Sequence, residues 1–157
     1  MEGALARLLA THAGPGRVDW IGIRPERRAA MRPVDGAGLT LDGIAGDHAR
    51  PGRRAVTLLQ AEHLPVIASL TQRGSVTPDL LRRNLLVSGI NLSALNGQAV
   101  RVGSAILRLT GPCAPCSRME EALGPGGYNA MRGHGGWCAE VAVPGDVRLG
   151  DGVLASA

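Results

Sequence analysis

Apolar positions fall into short runs broken by glycine and proline, and the runs alternate in the manner of strands more often than they recur at helical spacing. Val18 to Ile23 reads as a strand ended by Pro25. A glycine-rich stretch from Asp35 to Pro51 reads as turns, and Ala55 to Leu59 follows as a short apolar strand. Glu62 to Leu70 reads as a helix with Pro65 near its first turn, and Thr77-Pro78-Asp79 as a second helix start, with threonine as N-cap and proline at the first helical position. That helix is brief, because Asn84 to Gly89 reads as strand and turn. Ala99–Val102, a turn at Gly103-Ser104 and Ala105–Thr110 predict a hairpin. Trp137–Val143, Val147–Leu149 and Val153-Leu154, separated by turns, predict a closing meander. The pattern defines a mainly β protein with short helices (α+β), a twisted β-barrel or half-barrel without internal repeat or linker.

At 157 residues the chain is one domain, 1–157, large enough to bury its own core. The core segment is expected at about 18–154, with residues 1–16 as a helical N-terminal extension. That extension is too short for a membrane span and lacks a signal-peptide cleavage pattern, so cytoplasmic residence with reduced thiols is the expectation. Phenylalanine is absent and Trp20, Trp137 and Tyr128 are the only aromatics, so the core must be aliphatic. Stacking platforms for single-stranded nucleic acid are correspondingly scarce.

All 17 basic residues are arginine. Without lysine there is no Schiff base to pyridoxal phosphate, no P-loop lysine and no Ser-Lys dyad. The net charge of +4 suits an anionic partner, and guanidinium forks match phosphate or carboxylate.

The segment Gly111-Pro112-Cys113-Ala114-Pro115-Cys116-Ser117-Arg118-Met119-Glu120 carries the most chemistry. Ser117 with Glu120 three residues later reads as an N-cap and capping box, which puts Cys116 directly before a helix start. The positive helix end favours thiolate, the form that attacks electrophiles and ligates soft or high-valent metals. Other readings stand beside it. A cysteine is often only a small buried hydrophobe. A Cys113/Cys116 redox dithiol lacks the βαβ context it needs. Cys113, Cys116, His134 and Cys138 have the spacing of a structural zinc site, in a non-catalytic β-barrel module whose arginine-rich face docks an acidic partner. A disulfide would leave an odd cysteine over.

Read in order, Gly43-Ile44-Ala45-Gly46-Asp47-His48, Val56-Thr57-Leu58, Gln60-Ala61-Glu62, Leu81-Arg82-Arg83-Asn84-Leu85, Pro115-Cys116, Met131-Arg132-Gly133-His134-Gly135-Gly136 and Gly145-Asp146-Val147-Arg148-Leu149-Gly150-Asp151 resemble the successive motifs of a MOSC domain, the module named for the C-terminal region of molybdenum cofactor sulfurases. The resemblance implies a barrel that binds molybdenum cofactor (molybdopterin). It implies Cys116 as catalytic residue and sulfur ligand to molybdenum, with Cys113 and Cys138 in structural or accessory roles. Arg82 and Asn84 match an Arg-x-Asn element implied to contact the pterin or its phosphate. Asp47 and His48 fall in the Gly-Asp loop, where many relatives carry an arginine directly after the aspartate and this chain does not. Arg132 and His134 fall in a glycine-rich loop that is open to two readings, an anion-binding nest or a tight barrel corner. Glu62 matches a family acid. The implied activity is reduction of N-hydroxylated small molecules or carriage of sulfur or cofactor. Either needs an external electron donor or a cysteine desulfurase, and neither involves nucleic acid or membrane.

Overall fold

The computed structural model describes residues 3–49 and 51–156. The first two residues of the expected N-terminal extension, Arg50 in the expected turn region and the last residue lie outside that description. In chain order, α1 (Ala4–Ala10) precedes β1 (Gly16–Ile23), β2 (Arg32–Pro33), β3 (Gly36–Thr40), β4 (Gly43–Ile44) and β5 (Val56–Gln60). Helices α2 (Leu64–Leu70) and α3 (Pro78–Leu81) lead to β6 (Leu85–Ser88), followed by β7 (Ala99–Val102) and β8 (Ala105–Pro112). Then come α4 (Ser117–Leu123), α5 (Gly127–Met131), β9 (Trp137–Val143), β10 (Gly145–Arg148) and β11 (Gly152–Ala155).

Seven strands bond in the order β11-β7-β8-β9-β5-β6-β1, and β1 returns to β11 through Gly16↔Val153 and Arg17↔Gly152, which closes a barrel. β2 extends the sheet from the other end of β1, and β10-β3-β4 make a separate small sheet. β5 and β6 run parallel, and the crossover that a parallel pair requires is supplied by α2 and α3. Register shifts at Val18/Trp20 in β1 and at Ile106/Leu107 and Leu109/Gly111 in β8 add the twist that lets these two long strands wrap the barrel.

Side-chain alternation sorts the apolar residues into two cores. Val56 and Leu58 of β5 and Leu85 and Val87 of β6 point into the barrel with Ile21, Leu107, Leu109 and Val153. Leu59 and Leu86, one residue out of phase, pack outside against Ile67 of α2, Leu81 of α3, Met119 of α4 and Met131 of α5. The consecutive apolar pairs Leu58-Leu59 and Leu85-Leu86 therefore mark strands covered on both faces. No aromatic side chain is among the buried core residues, as the composition requires. No helix among the described residues is long and apolar enough to cross a membrane.

The closing meander is not formed. β9 lies between β8 and β5, β10 pairs with β3, and β11 bridges β7 and β1, so consecutive strands have different neighbours. The stretch read as turns supplies the partner for β10, with Gly36–Thr40 forming a strand despite its glycines. The expected helix from Glu62 begins as a 3-10 turn at Ala61–His63 and turns α-helical only from Leu64, with Pro65 in the first turn. Thr77 is the N-cap of α3, but its side chain makes no capping bond.

Two glycines of the loop between α5 and β9 separate backbone freedom from close approach. Gly133 and Gly136 both have positive φ, +84° and +87°, but a Cβ at Gly133 meets nothing within 4 Å whereas one at Gly136 would overlap the Leu58 carbonyl oxygen. Gly133→Ala should therefore cost about 1 kcal/mol. Gly136→Ala should cost about 3 kcal/mol or more, because β5 must shift. Denaturant unfolding of the two variants checks this, and equal losses would contradict the tight-corner account.

Candidate functional site

A cavity of about 850 Å³ opens at one end of the barrel, where segments far apart in sequence converge. The end of β1 and the loop after it bring Arg24, Arg27 and Arg28. The loop after β4 brings Asp47 and His48, the approach to β5 brings Arg54, β5 itself brings Thr57, and the α3–β6 junction brings Arg82, Arg83 and Asn84. The start of α4 adds Cys116, Arg118 and Met119. Seven arginines thus face a single acid, Asp47, and none of the seven is in an ion pair among the described residues.

Several of these cations are held by backbone alone. Arg83 is buried, donating from Nε to Gly135 O at 2.7 Å and from Nη1 to Leu81 O at 3.1 Å, while its Nη2 has no partner. Arg24 donates from Nη2 to His48 O at 2.9 Å, and its backbone N–H bonds Asp47 Oδ1 at 2.6 Å, while its buried Nε is likewise unpartnered. An arginine does reach the Gly-Asp loop, but from β1 and not from the position after Asp47. Arg82 donates to Ala29 O at 2.9 Å. Burial, then the neighbouring charges of Arg24 and Arg118, hold its guanidinium below the ordinary value, with Cys116 opposing. Arg28 and Arg82 both adopt positive φ, 67° and 59°, and they are two of the three non-glycine residues described that do. Backbone strain concentrated at one cavity is a mark of a functional site.

Of the residues expected at the site, Asp47, His48, Arg82, Asn84 and Cys116 line this cavity, and Arg132 and His134 do not. The glycine-rich loop lies behind the wall, where Gly135 O accepts from Arg83. Arg132 turns to Asn129 Oδ1 at 3.4 Å, and His134 Nδ1 lies 3.1 Å from Ala130 O with its ring edge-on to His63. Asn84 lines the cavity with its amide already engaged. Its Oδ1 accepts from Thr57 N and Thr57 Oγ1, and Nδ2 donates to Gly22 O. Glu62 accepts from Gln60 Nε2 and Gly89 N, so it fastens a turn.

Cys116 is exposed and is itself the N-cap of α4, so Ser117 opens the helix and does not cap it. The capping box is not formed either. Glu120 reaches forward to accept from Gly126 N and Tyr128 N and so organises the start of α5. The four-ligand zinc arrangement is not assembled. Cys113 and Cys138 are neighbours, but among the described residues no three His, Cys, Asp or Glu side chains converge to hold a metal ion.

The pattern reading missed Arg24, Arg27, Arg28, Arg54, Arg83 and Arg118. For Arg24, Arg27, Arg28 and Arg54 the only signal was clustering, Arg24-x-x-Arg27-Arg28 and Arg53-Arg54, in a chain rich in arginine, whereas Arg83 and Arg118 lie inside segments singled out for other residues. A second cavity of about 770 Å³ adjoins the first across Arg28, Met31, Arg82 and Arg118, and Asp79 and Glu121 give it mixed charge.

The sequence model described as the MOSC domain matches residues 24–154, and the chain belongs to that family. Solved structures of the same fold include the YuaD protein from Bacillus subtilis, 20% identical with a TM-score of 0.79 over 91% of this chain and 97% of that one. YiiM from Escherichia coli is 22% identical with a TM-score of 0.71 over 94% and 70% of the two chains. YiiM from Geobacillus stearothermophilus is 18% identical with a TM-score of 0.76 over 91% and 76%. Comparison with curated proteins gave no match.

His63 gives a pH dependence. Burial, then repulsion from His134, lowers the pKa of His63 below 6.5, with Glu62 opposing. A basic group depressed on folding contributes stability that is complete above its unfolded pKa and is lost as pH falls through the folded value. Urea unfolding should show stability declining below pH 6.5, and His63→Gln should flatten that slope.

Proposed function

We propose that the chain binds molybdenum cofactor in the arginine-lined cavity and acts as a reductase of N-hydroxylated small molecules. The observation that carries this reading is a large cavity with seven arginines, none in an ion pair among the described residues, and one exposed cysteine at its margin. The fit can be judged on these residues. Two buried guanidinium atoms, Arg24 Nε and Arg83 Nη2, lack partners, which is costly unless an anion completes them. The cofactor is such an anion, with a phosphate and a soft sulfur-ligated metal. Arg82 and Arg83, on opposite sides of one backbone turn, would hold the phosphate end, and Cys116 would donate sulfur to the metal.

When bound, the cofactor supplies a metal that accepts oxygen in a two-electron step. The protein's own part is electrostatic and steric. The arginines hold an anion in place without reorganising, and Met119 with Met31 gives the wall an apolar portion. Asn84 keeps Arg82 and Arg83 in register and does not itself reach for ligand. Electrons come from a separate donor protein, since the chain carries no flavin, haem or iron-sulfur motif. The exposure of Cys116 equally suits a persulfide, and sulfur carriage with a separate cysteine desulfurase is the second reading.

Titration of the protein with free cofactor, followed by molybdenum and pterin analysis, tests the proposal. Arg82→Ala should weaken retention by roughly tenfold or more, the effect of losing a charge-assisted hydrogen bond of about 1.5–3 kcal/mol. Arg82→Lys should restore little, because the fork is lost. Cys116→Ser should keep the fold and the pterin while losing the metal's protein sulfur signal, and Cys113→Ser should leave that signal intact. Unchanged affinity in Arg82→Ala would remove Arg82 from the site. Stable persulfide on Cys116 without cofactor retention would favour the carrier.

A further inference from the structure

Cys113 and Cys138 meet outside the barrel, behind the cavity wall. Gly111 pairs with Cys138 in the β8–β9 ladder, and Cys113 N donates to Gly136 O at 2.8 Å just beyond it. Each cysteine therefore stands opposite a glycine, and strand alternation puts both on one face. Ala139 and Val141 of β9 point into the barrel core, so Cys138 points outward. With no side chain on either partner residue, the vacated space is filled by the two sulfurs, and the Cys138 thiol hydrogen-bonds to Cys113. Cys138 is buried, whereas Cys113 is half-buried and reachable.

The charges around the pair are one-sided. The groups that face it are Arg83, from the α3–β6 junction, and Arg54, from the approach to β5. Arg83 is buried, and no carboxylate pairs with it among the described residues. Gly135 sits between the two groups: a Cβ there would lie 2.8 Å from Cys113 O and 3.5 Å from Arg83 Nη2. The positive charges of Arg83 and Arg54 act on Cys113, and a Cys113 thiolate is the anion that this side of the wall favours.

We propose that Cys113 and Cys138 are a redox-active dithiol that low-molecular-weight disulfides oxidise, with Cys113 as the attacking sulfur and Cys138 as the resolving one. In the first step the Cys113 thiolate attacks one sulfur of the small disulfide. Its S–S bond breaks, a mixed disulfide forms on Cys113, and one thiolate leaves. In the second step the Cys138 thiol gives up its proton to solvent and attacks the Cys113 sulfur. The protein disulfide forms and the second small thiolate leaves and is protonated, so two protein thiols are oxidised as one disulfide is reduced to two thiols. The Cys138 hydrogen bond first, and then Arg83 and Arg54, lower the Cys113 pKa to about 6 against the opposing effect of burial, while Cys138 is pushed up. Because Arg83 also lines the cavity, oxidation withdraws negative charge from beside one of its cations. The proposal does not depend on what the cavity binds.

The test treats reduced, full-length protein at pH 7 with oxidised glutathione and maps the products by mass spectrometry under non-reducing conditions. Two thiols should be lost per chain, with the Cys113 and Cys138 peptides linked and Cys116 free. Cys138→Ser should stop at one glutathione on Cys113, and Cys113→Ser should abolish the linked product. In the unsubstituted protein, alkylation of Cys113 by iodoacetamide should rise with a midpoint near pH 6, a shift of about three from the ordinary thiol value of 9.0. A midpoint near 9, glutathione placed first on Cys116, or a Cys113–Cys116 link would overturn the proposal.

Discussion

One side chain ties the barrel to the cavity. The Asn84 amide joins three strands, accepting from Thr57 N and Oγ1 on β5 and donating to Gly22 O on β1 from the residue immediately before β6. Its backbone repeats the tie, with its N–H on Thr57 Oγ1 and its carbonyl accepting from Gly22 N. The parallel pairing of β5 and β6 starts from this point, and the arginines immediately before it inherit fixed directions. Arg82, in the left-handed region, turns to Ala29, while Arg83 goes inward to Gly135. A buried amide with this many partners specifies register better than apolar packing could, since a slip would leave all of them unmet.

The cavity runs against what folding alone favours. Buried charges are ordinarily paired, and here carbonyl oxygens partly take the place of carboxylates around Arg24, Arg82 and Arg83. Carbonyls lower the cost of burial without cancelling the charge, so the field stays available to a ligand. Such local sacrifice of stability, set in an otherwise well-satisfied aliphatic barrel, is where sequence rules for folding are expected to fail.

Local pairings were legible from the sequence, and distant ones were not. The β7–β8 hairpin follows from a two-residue turn between alternating runs, and its bounds matched the pattern closely. The partner of β10 was hidden because Gly36-Ala37-Gly38 has the composition of a turn, and only the β10 backbone makes it a strand. The site was legible where motifs are contiguous, at Asp47-His48, at Arg82 and Asn84, and at Cys116. At Asn84 the sequence did not foretell that the amide would be engaged with Thr57 and Gly22 while the residue lines the cavity. Arg24 and Arg54 were invisible because their convergence depends on closure of the sheet, which no window of sequence contains.

That closure also decides how the molecule meets others. With β1 bonded to β11 the barrel has no open edge, and β2 and β4, at the margins, are two residues long. The outer side of β10 is occupied by Ser104, whose N–H bonds Asp146 O and whose Oγ accepts from Asp146 N. Among the described residues, then, little backbone is left to template a strand from another chain. What the surface offers instead is guanidinium charge, and association governed by charge is tuned by ionic strength and reverses readily, as pairing of strands does not.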